Sequence, residues 1–168
     1  MTLNILRNSN FLLNLSNLNL NNMTSILEIW WQILVASVAY FMLGSIWFNP
    51  KVFGTAWAKS HGIVMDPEKR KEVNMGKLMG TAFLFTVMIT TIIAKVCLLT
   101  CGGGEACHAT GIMHCVKIGV LIGGAIAAAI SMTYMFLMRP ANALILDGLF
   151  HVVGSVIAAC VLFALGVC

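Results

Sequence analysis

Four long runs of apolar residues, separated by short polar segments, dominate the chain. Each run is long enough for an α-helix that crosses the ~30 Å hydrocarbon core of a bilayer, which takes ~20 apolar residues. The predicted spans cover about residues 26–48, 76–99, 115–138 and 143–166. The pattern therefore predicts an all-α integral membrane four-helix bundle over residues 25–168.

The segment after the first span carries the signals of a short helix. Asn49 is a favourable N-cap, and Pro50 suits the first helical position. The helix that follows places Phe53 and Trp57 on one face, which is typical of a helix that lies on the membrane surface. We therefore predict a short interfacial helix after the first span. Residues 1–24, which are rich in Asn and too polar for the core of a signal peptide, are expected to form a flexible tail or a short surface helix.

Composition supports the membrane class. Of the 168 residues, 60% are hydrophobic and 10% are charged, and the mean hydropathy is +0.92. A soluble domain has about half apolar and about a quarter charged residues, because its surface must stay hydrated. The formal net charge is +4, but most of the basic residues share one loop. They therefore indicate membrane topology, with the lipid bilayer and not nucleic acid as the partner.

Seven of the ten basic residues lie on one side of the predicted bundle. They belong to the loop between the first two spans and to the connection between the last two: Lys51, Lys59, Lys69, Arg70, Lys71, Lys77 and Arg139. The loop at residues 100–114 contains no Lys or Arg. The positive-inside rule therefore places both termini and this Cys-containing loop on the outer side. The pattern suits a plasma membrane or an organelle inner membrane.

Small residues recur four positions apart in three of the spans. The pairs are Gly76 with Gly80, Gly119 with Gly123, and Gly154 with Ala158. In lipid, such residues promote helix association because they allow two backbones to approach closely. They predict helix packing, either within one bundle or at the face of an oligomer.

Asp147 and His151 are ionisable residues within the last predicted span. They lie four positions apart and therefore share one helix face. Counting from Asn142 at 1.5 Å per residue, Asp147 lies about 7 Å and His151 about 13 Å into the span. The same count on the other spans places Ser45, Thr81 and Thr133 level with Asp147, and Tyr40 and Thr86 level with His151.

Two interpretations of this polar set remain open. Burying an Asp near the bilayer centre costs at least ~2.5 kcal/mol, so the group should face protein or water. Asp147 and His151, together with Tyr40, could form a proton or ion relay or contact a ligand. Alternatively, Asp147 and His151 form a hydrogen-bonded pair that fixes the helix register.

The cysteines suggest chemistry on the outer side. Cys97, Cys101, Cys107 and Cys115 surround the Gly-rich loop, and an even set in such a place suggests structural disulfides of undetermined connectivity. His108 and His114 lie among them, but the spacing matches no standard zinc module, so no metal site is predicted. The chain has no C-x-x-C pair, phosphate loop or Ser-His-Asp arrangement. We therefore expect no catalytic residues and no cofactor.

Three motifs resemble those of the family called domain of unknown function 1761. Residues 43–57 contain Leu-Gly-x-x-Trp-Phe-x-Pro followed by Phe-Gly-x-x-Trp. An Arg-Pro pair at Arg139 and a Gly-x-x-His motif ending at His151 are also similar to that family, and the likeness covers about residues 33–166. The resemblance implies a four-helix membrane protein of unassigned activity, found mostly as short bacterial proteins, with no catalytic residues to carry over.

Three functions follow as hypotheses. The first is a non-catalytic membrane protein that forms a homo-oligomer or serves as an accessory, structural subunit of a larger membrane assembly. The second is a small proton-coupled transporter or channel that uses Asp147 and His151. The third is a thiol or metal-binding function on the outer face.

Overall fold

The computed structural model of the protein describes residues 27–63, 74–101 and 111–167. The chain forms a π-helical turn, Pro50–Gly54, and the helices α1 (Trp30–Trp47), α2 (Thr55–Ser60), α3 (Met75–Cys101), α4 (Ile112–Phe136) and α5 (Ala141–Ala164). The predicted tail and most of the Gly-rich loop lie outside the described residues. Residues from Gln32 onward belong to one compact unit.

Helices α1, α3, α4 and α5 are long and apolar enough to cross a membrane. Their mean hydropathies are 1.3, 2.3, 2.0 and 2.1, respectively. The predicted all-α, four-span architecture is therefore confirmed. Where the predicted boundaries lie among the described residues, they fall within a few residues of the helix ends. The predicted start of the first span at residue 26 lies outside the described residues. The short helix expected after the first span is α2.

Asn49 ends the first span and starts the short helical segment. Its extended backbone (φ −66°, ψ 135°) leaves the α-helical conformation, and its side chain accepts a hydrogen bond from the backbone N–H of Lys51 at 2.9 Å. Pro50 follows at the start of the turn, as predicted. A Cβ at Gly54 would overlap the carbonyl oxygen of Phe48, so only glycine permits this turn.

Glycines bring α4 and α5 into backbone contact. A Cβ at Gly119 would lie 2.8 Å from Cα of Val156, and one at Gly123 would lie 2.6 Å from Cα of Val152. On α5, Ala158 is completely buried. Because dispersion forces and not the hydrophobic effect hold helices together in lipid, this close approach is a main source of cohesion.

The other predicted glycine pair makes no such approach. Gly76 and Gly80 lie on an exposed stretch of α3, and a Cβ at Gly80 would meet no atom within 4 Å. The prediction of helix packing at this pair therefore has no counterpart among the described residues. The motif is a property of α3 alone, whereas packing also requires a second helix on the same face.

The connection between α4 and α5 is a tight helix C-cap. The N–H of Arg139 donates to the carbonyl of Tyr134 at 3.0 Å, and that of Met138 donates to Met135 at 3.2 Å. These are the two bonds of a Schellman motif, whose left-handed position is usually glycine. Here Met138 occupies that position with φ 51°. The turn places Arg139 where its guanidinium donates to the carbonyl of His61 after α2, at 3.0 Å.

Candidate functional site

The Asp147 carboxylate receives hydrogen bonds from two other parts of the bundle. The indole N–H of Trp57, on α2, donates to Oδ1 at 2.8 Å, and the hydroxyl of Tyr134, on α4, donates to Oδ2 at 2.7 Å. Nε2 of His61, the residue that ends α2, lies 3.2 Å from Oδ2. Asp147 is buried. The carboxylate thus joins α2, α4 and α5 at one end of the bundle.

His61 is oriented by its second ring nitrogen. Nδ1 lies 2.9 Å from the carbonyl oxygen of Trp57, which can only accept, so Nδ1 carries a hydrogen. Nε2 faces Oδ2 of Asp147 and the hydroxyl of Tyr134, each at 3.2 Å. The imidazole also packs against the Trp57 indole, with ring centroids 4.7 Å apart and planes at 34°.

These contacts compensate the charge of Asp147. Hydrogen bonds to an ionised group contribute about 1.5–3 kcal/mol each, whereas an unpaired buried carboxylate is strongly destabilising. Both oxygens of Asp147 have donors. We call these four residues the Asp147 cluster: Asp147, Trp57, His61 and Tyr134. The cluster compensates the charge of the carboxylate and links α2 to α4 and α5.

Tyr40 and His151 form a second polar contact one helical turn deeper along α5. The Tyr40 hydroxyl lies 2.8 Å from Nδ1 of His151, and Tyr40 is only 1% exposed. Its ring fits a notch at Gly154, where a Cβ would lie 2.6 Å from Cζ of Tyr40 and closer still to Cε2 and Cδ2. This contact ties α1 to α5.

Aromatic rings fill the space between the two polar contacts. Phe150 lies one residue before His151, and its ring centroid is 5.0 Å from that of Phe48 and 5.7 Å from that of Tyr40. Phe48 in turn contacts Trp57 at 5.2 Å. The rings therefore connect the Tyr40–His151 contact to the Asp147 cluster through apolar packing.

Asp147, His151 and Tyr40 lie inside the bundle, whereas Ser45, Thr81 and Thr133 are exposed. The partners of the inner residues differ from those expected. The depth count correctly places Tyr40 beside His151. Among the described residues, the hydrogen bonds of Asp147 go to α2 and α4, and that of the His151 ring goes to α1; no hydrogen bond joins Asp147 to His151. The threonines predicted at these depths donate instead to carbonyls of their own helices: Thr81, Thr86 and Thr133.

Sequence reasoning missed most of the Asp147 cluster. Trp57 was predicted to lie on the membrane surface, and neither His61 nor Tyr134 was singled out. Trp57 and His61 lie four residues apart around the end of α2, so their shared face was a detectable signal. Thr133 and Tyr134 are adjacent, so they lie at nearly the same depth in the bundle. They point in different directions around α4, and a count of depth alone could not show which of them faces Asp147.

The described cysteines give no support to the predicted disulfides. Cys97 and Cys115 are completely buried and form no disulfide bond with each other. The Cys101 side chain and Cys107 lie outside the described residues. Within the described ranges, no group of three or more His, Cys, Asp or Glu residues could hold a metal ion.

Comparison with known proteins gives one match. No curated protein and no solved structure matches the chain. A family model described as "Protein of unknown function (DUF1761)" matches residues 31–163, which include both polar contacts and all but the outermost residues of the four membrane-spanning helices. The chain therefore belongs to this family, as its motifs predicted.

Proposed function

We propose that the protein is a non-catalytic subunit of a membrane assembly, in which its helices pack against neighbouring transmembrane helices. The observation that carries the proposal is a contrast between two groups of glycines. Packing within the chain leaves no room for a Cβ at Gly119, Gly123 or Gly154, whereas a Cβ at Gly80 or Gly124 would meet no atom of the described residues within 4 Å. Small residues that serve no internal contact in lipid are suited to contact another helix.

The polar groups also favour a non-catalytic role. Intramembrane ionisable residues are functional-site candidates by default, but those of this bundle have structural partners. Asp147 receives hydrogen bonds from Trp57 and Tyr134, and the His151 ring contacts Tyr40. Each contact joins different helices, so the polar groups support the rigid body that an assembly subunit requires.

Native mass spectrometry of the protein extracted gently from its own membrane tests this proposal. We expect a defined homo-oligomer or a complex with other membrane proteins. Gly80→Ile and Gly124→Ile should dissociate it while leaving the fold intact, because a Cβ at either position meets no atom of the described residues within 4 Å. Val38→Leu adds bulk at an exposed position of α1, a helix that carries neither glycine, and is the control. A monomer without a partner, or complexes unaffected by both glycine variants, would contradict the proposal.

A second candidate is a small proton-coupled transporter or channel. Its support is the spacing of Asp147 and His151 one turn apart on α5, each within hydrogen-bond distance of a tyrosine hydroxyl. Alternating carboxylate, imidazole and phenol groups are the components of proton relays.

Proton flux into liposomes that contain the purified chain and a trapped pH-sensitive dye tests the second candidate. Under an imposed pH gradient, Asp147→Asn and His151→Ala should slow the dye response if the relay exists. Thr81→Ala removes an exposed hydroxyl elsewhere in the bundle and serves as the control. Equal flux in wild type, His151→Ala and empty liposomes would eliminate this function.

A further inference from the structure

A cleft of about 500 Å³ opens between α2 and the beginning of α5, outside both polar contacts. Its volume lies within the ~300–1,000 Å³ range of small-molecule sites. Lys59, Ser60 and Asn142 supply its polar lining. The cleft therefore combines an ammonium group, a hydroxyl and an amide at the end of the bundle where the chain leaves the predicted membrane core.

The rest of the lining is apolar. Ala56, Ile145 and Leu146 line the cleft, and Pro140 closes it at the start of α5. Ile145 is 51% exposed, and Leu149, one turn further along α5, is 49% exposed. An apolar surface therefore continues from the cleft along α5 towards the lipid.

Positively charged groups lie at and beside the cleft. Within the part of the chain that the structure describes, no carboxylate lies within salt-bridge distance of Lys59. Pro140 is the N-cap of α5, a 24-residue helix, and no side chain caps the first backbone N–H groups. The N–H of Ala143 donates to the carbonyl of Pro140 at 3.0 Å. The N-terminal end of the helix dipole and the adjacent Arg139 add to the positive field.

We propose that this cleft binds an anionic phospholipid of the surrounding membrane. The phosphate lies between Lys59 and Asn142 at the N-terminus of α5, and an acyl chain follows Ile145 along the exposed side of that helix. Charge complementarity selects a negatively charged headgroup. The apolar lining that continues along α5 favours a lipid over a free phosphate ion, because only a lipid has an acyl chain that can cover this apolar surface.

Native mass spectrometry of the full chain, purified in mild detergent and titrated with phosphatidylglycerol or phosphatidylcholine, tests the assignment. We expect phosphatidylglycerol to be retained in preference to phosphatidylcholine. Lys59→Gln should lower its retention about five-fold, the factor that follows from ~1 kcal/mol per basic residue near a membrane surface. Adding Asn142→Ala to Lys59→Gln should lower the retention of phosphatidylglycerol further. Lys51→Gln removes the same charge from the same loop but from a residue that does not line the cleft, and should retain the lipid.

Three results would overturn the proposal. One is equal retention of the two lipids, and another is an equal loss for Lys51→Gln and Lys59→Gln, which would indicate diffuse surface attraction. The third is displacement of phosphatidylglycerol by millimolar inorganic phosphate, which would assign the cleft to the free ion. Thermal unfolding of each variant checks the fold, and both substituted lysines are exposed.

Discussion

Gly154→Ala tests whether the Tyr40 notch holds α1 in the bundle. The added methyl would overlap the Tyr40 ring, which is 1% exposed and contacts Phe150 at a centroid distance of 5.7 Å. The ring cannot turn aside without breaking the 2.8 Å contact with His151. The substitution must therefore displace α1 from α5 or force Tyr40 out of its site.

The expected loss of stability combines three effects. Overpacking a well-packed core costs about 1–3 kcal/mol. An interhelical hydrogen bond in a membrane protein contributes ~0.6 kcal/mol on average and at most ~1.7 kcal/mol. The higher helix propensity of Ala returns up to ~1 kcal/mol. We therefore expect Gly154→Ala to lower the free energy of unfolding by about 1–4 kcal/mol, since the steric effect exceeds the gain in propensity.

Unfolding in mixed micelles with increasing SDS, followed by tryptophan fluorescence, measures this change. Gly124→Ala is the matched control, because a Cβ there meets no atom within 4 Å in the part of the chain that the structure describes, and the change should leave stability equal or slightly higher. Combining Tyr40→Ala with Gly154→Ala should cost less than the sum of the single changes, since removing the ring removes the overlap. Equal stabilities for Gly154→Ala and Gly124→Ala, or strict additivity in the double variant, would refute the reasoning.

Three further predictions concern the polar and glycine contacts and use the same unfolding assay. Asp147→Asn should lower the free energy of unfolding by about 1.5–3 kcal/mol, because charge-assisted hydrogen bonds are lost; an unchanged midpoint would contradict this. Trp57→Phe keeps a ring against His61 but removes one hydrogen bond to the carboxylate, so it should lower the free energy of unfolding by about 1.5–3 kcal/mol; an unchanged midpoint would contradict this too. Gly123→Val should destabilise the protein far more than Gly80→Val, because only the first separates the backbones of α4 and α5; equal effects would show that the close approach contributes no stability.

Much of the fold was predictable because it depends on local properties of the chain. The length and hydropathy of each apolar run determine whether it can cross a bilayer, and Asn49 with Pro50 ends the first span through backbone geometry alone. Depth along a helix also follows from a constant rise per residue, so Tyr40 could be placed level with His151. The direction of a side chain around the helix was harder to predict. Thr133 and Tyr134 are adjacent, yet Thr133 donates to a carbonyl of its own helix and Tyr134 donates to Asp147.

The sequence by itself therefore determined the four apolar spans, their approximate ends, the small residues that permit close packing and the presence of ionisable groups within the last helix. Only the tertiary structure decided which glycines contact another helix: Gly123 packs against the backbone of α5, whereas Gly80 makes no such contact among the described residues. It also decided that α2 is not solely a surface helix, because Trp57 and His61 reach the Asp147 carboxylate. The physical reason is that a span forms from its own hydrogen bonds and hydropathy, whereas a side-chain contact depends on the rotation and spacing of two helices at once.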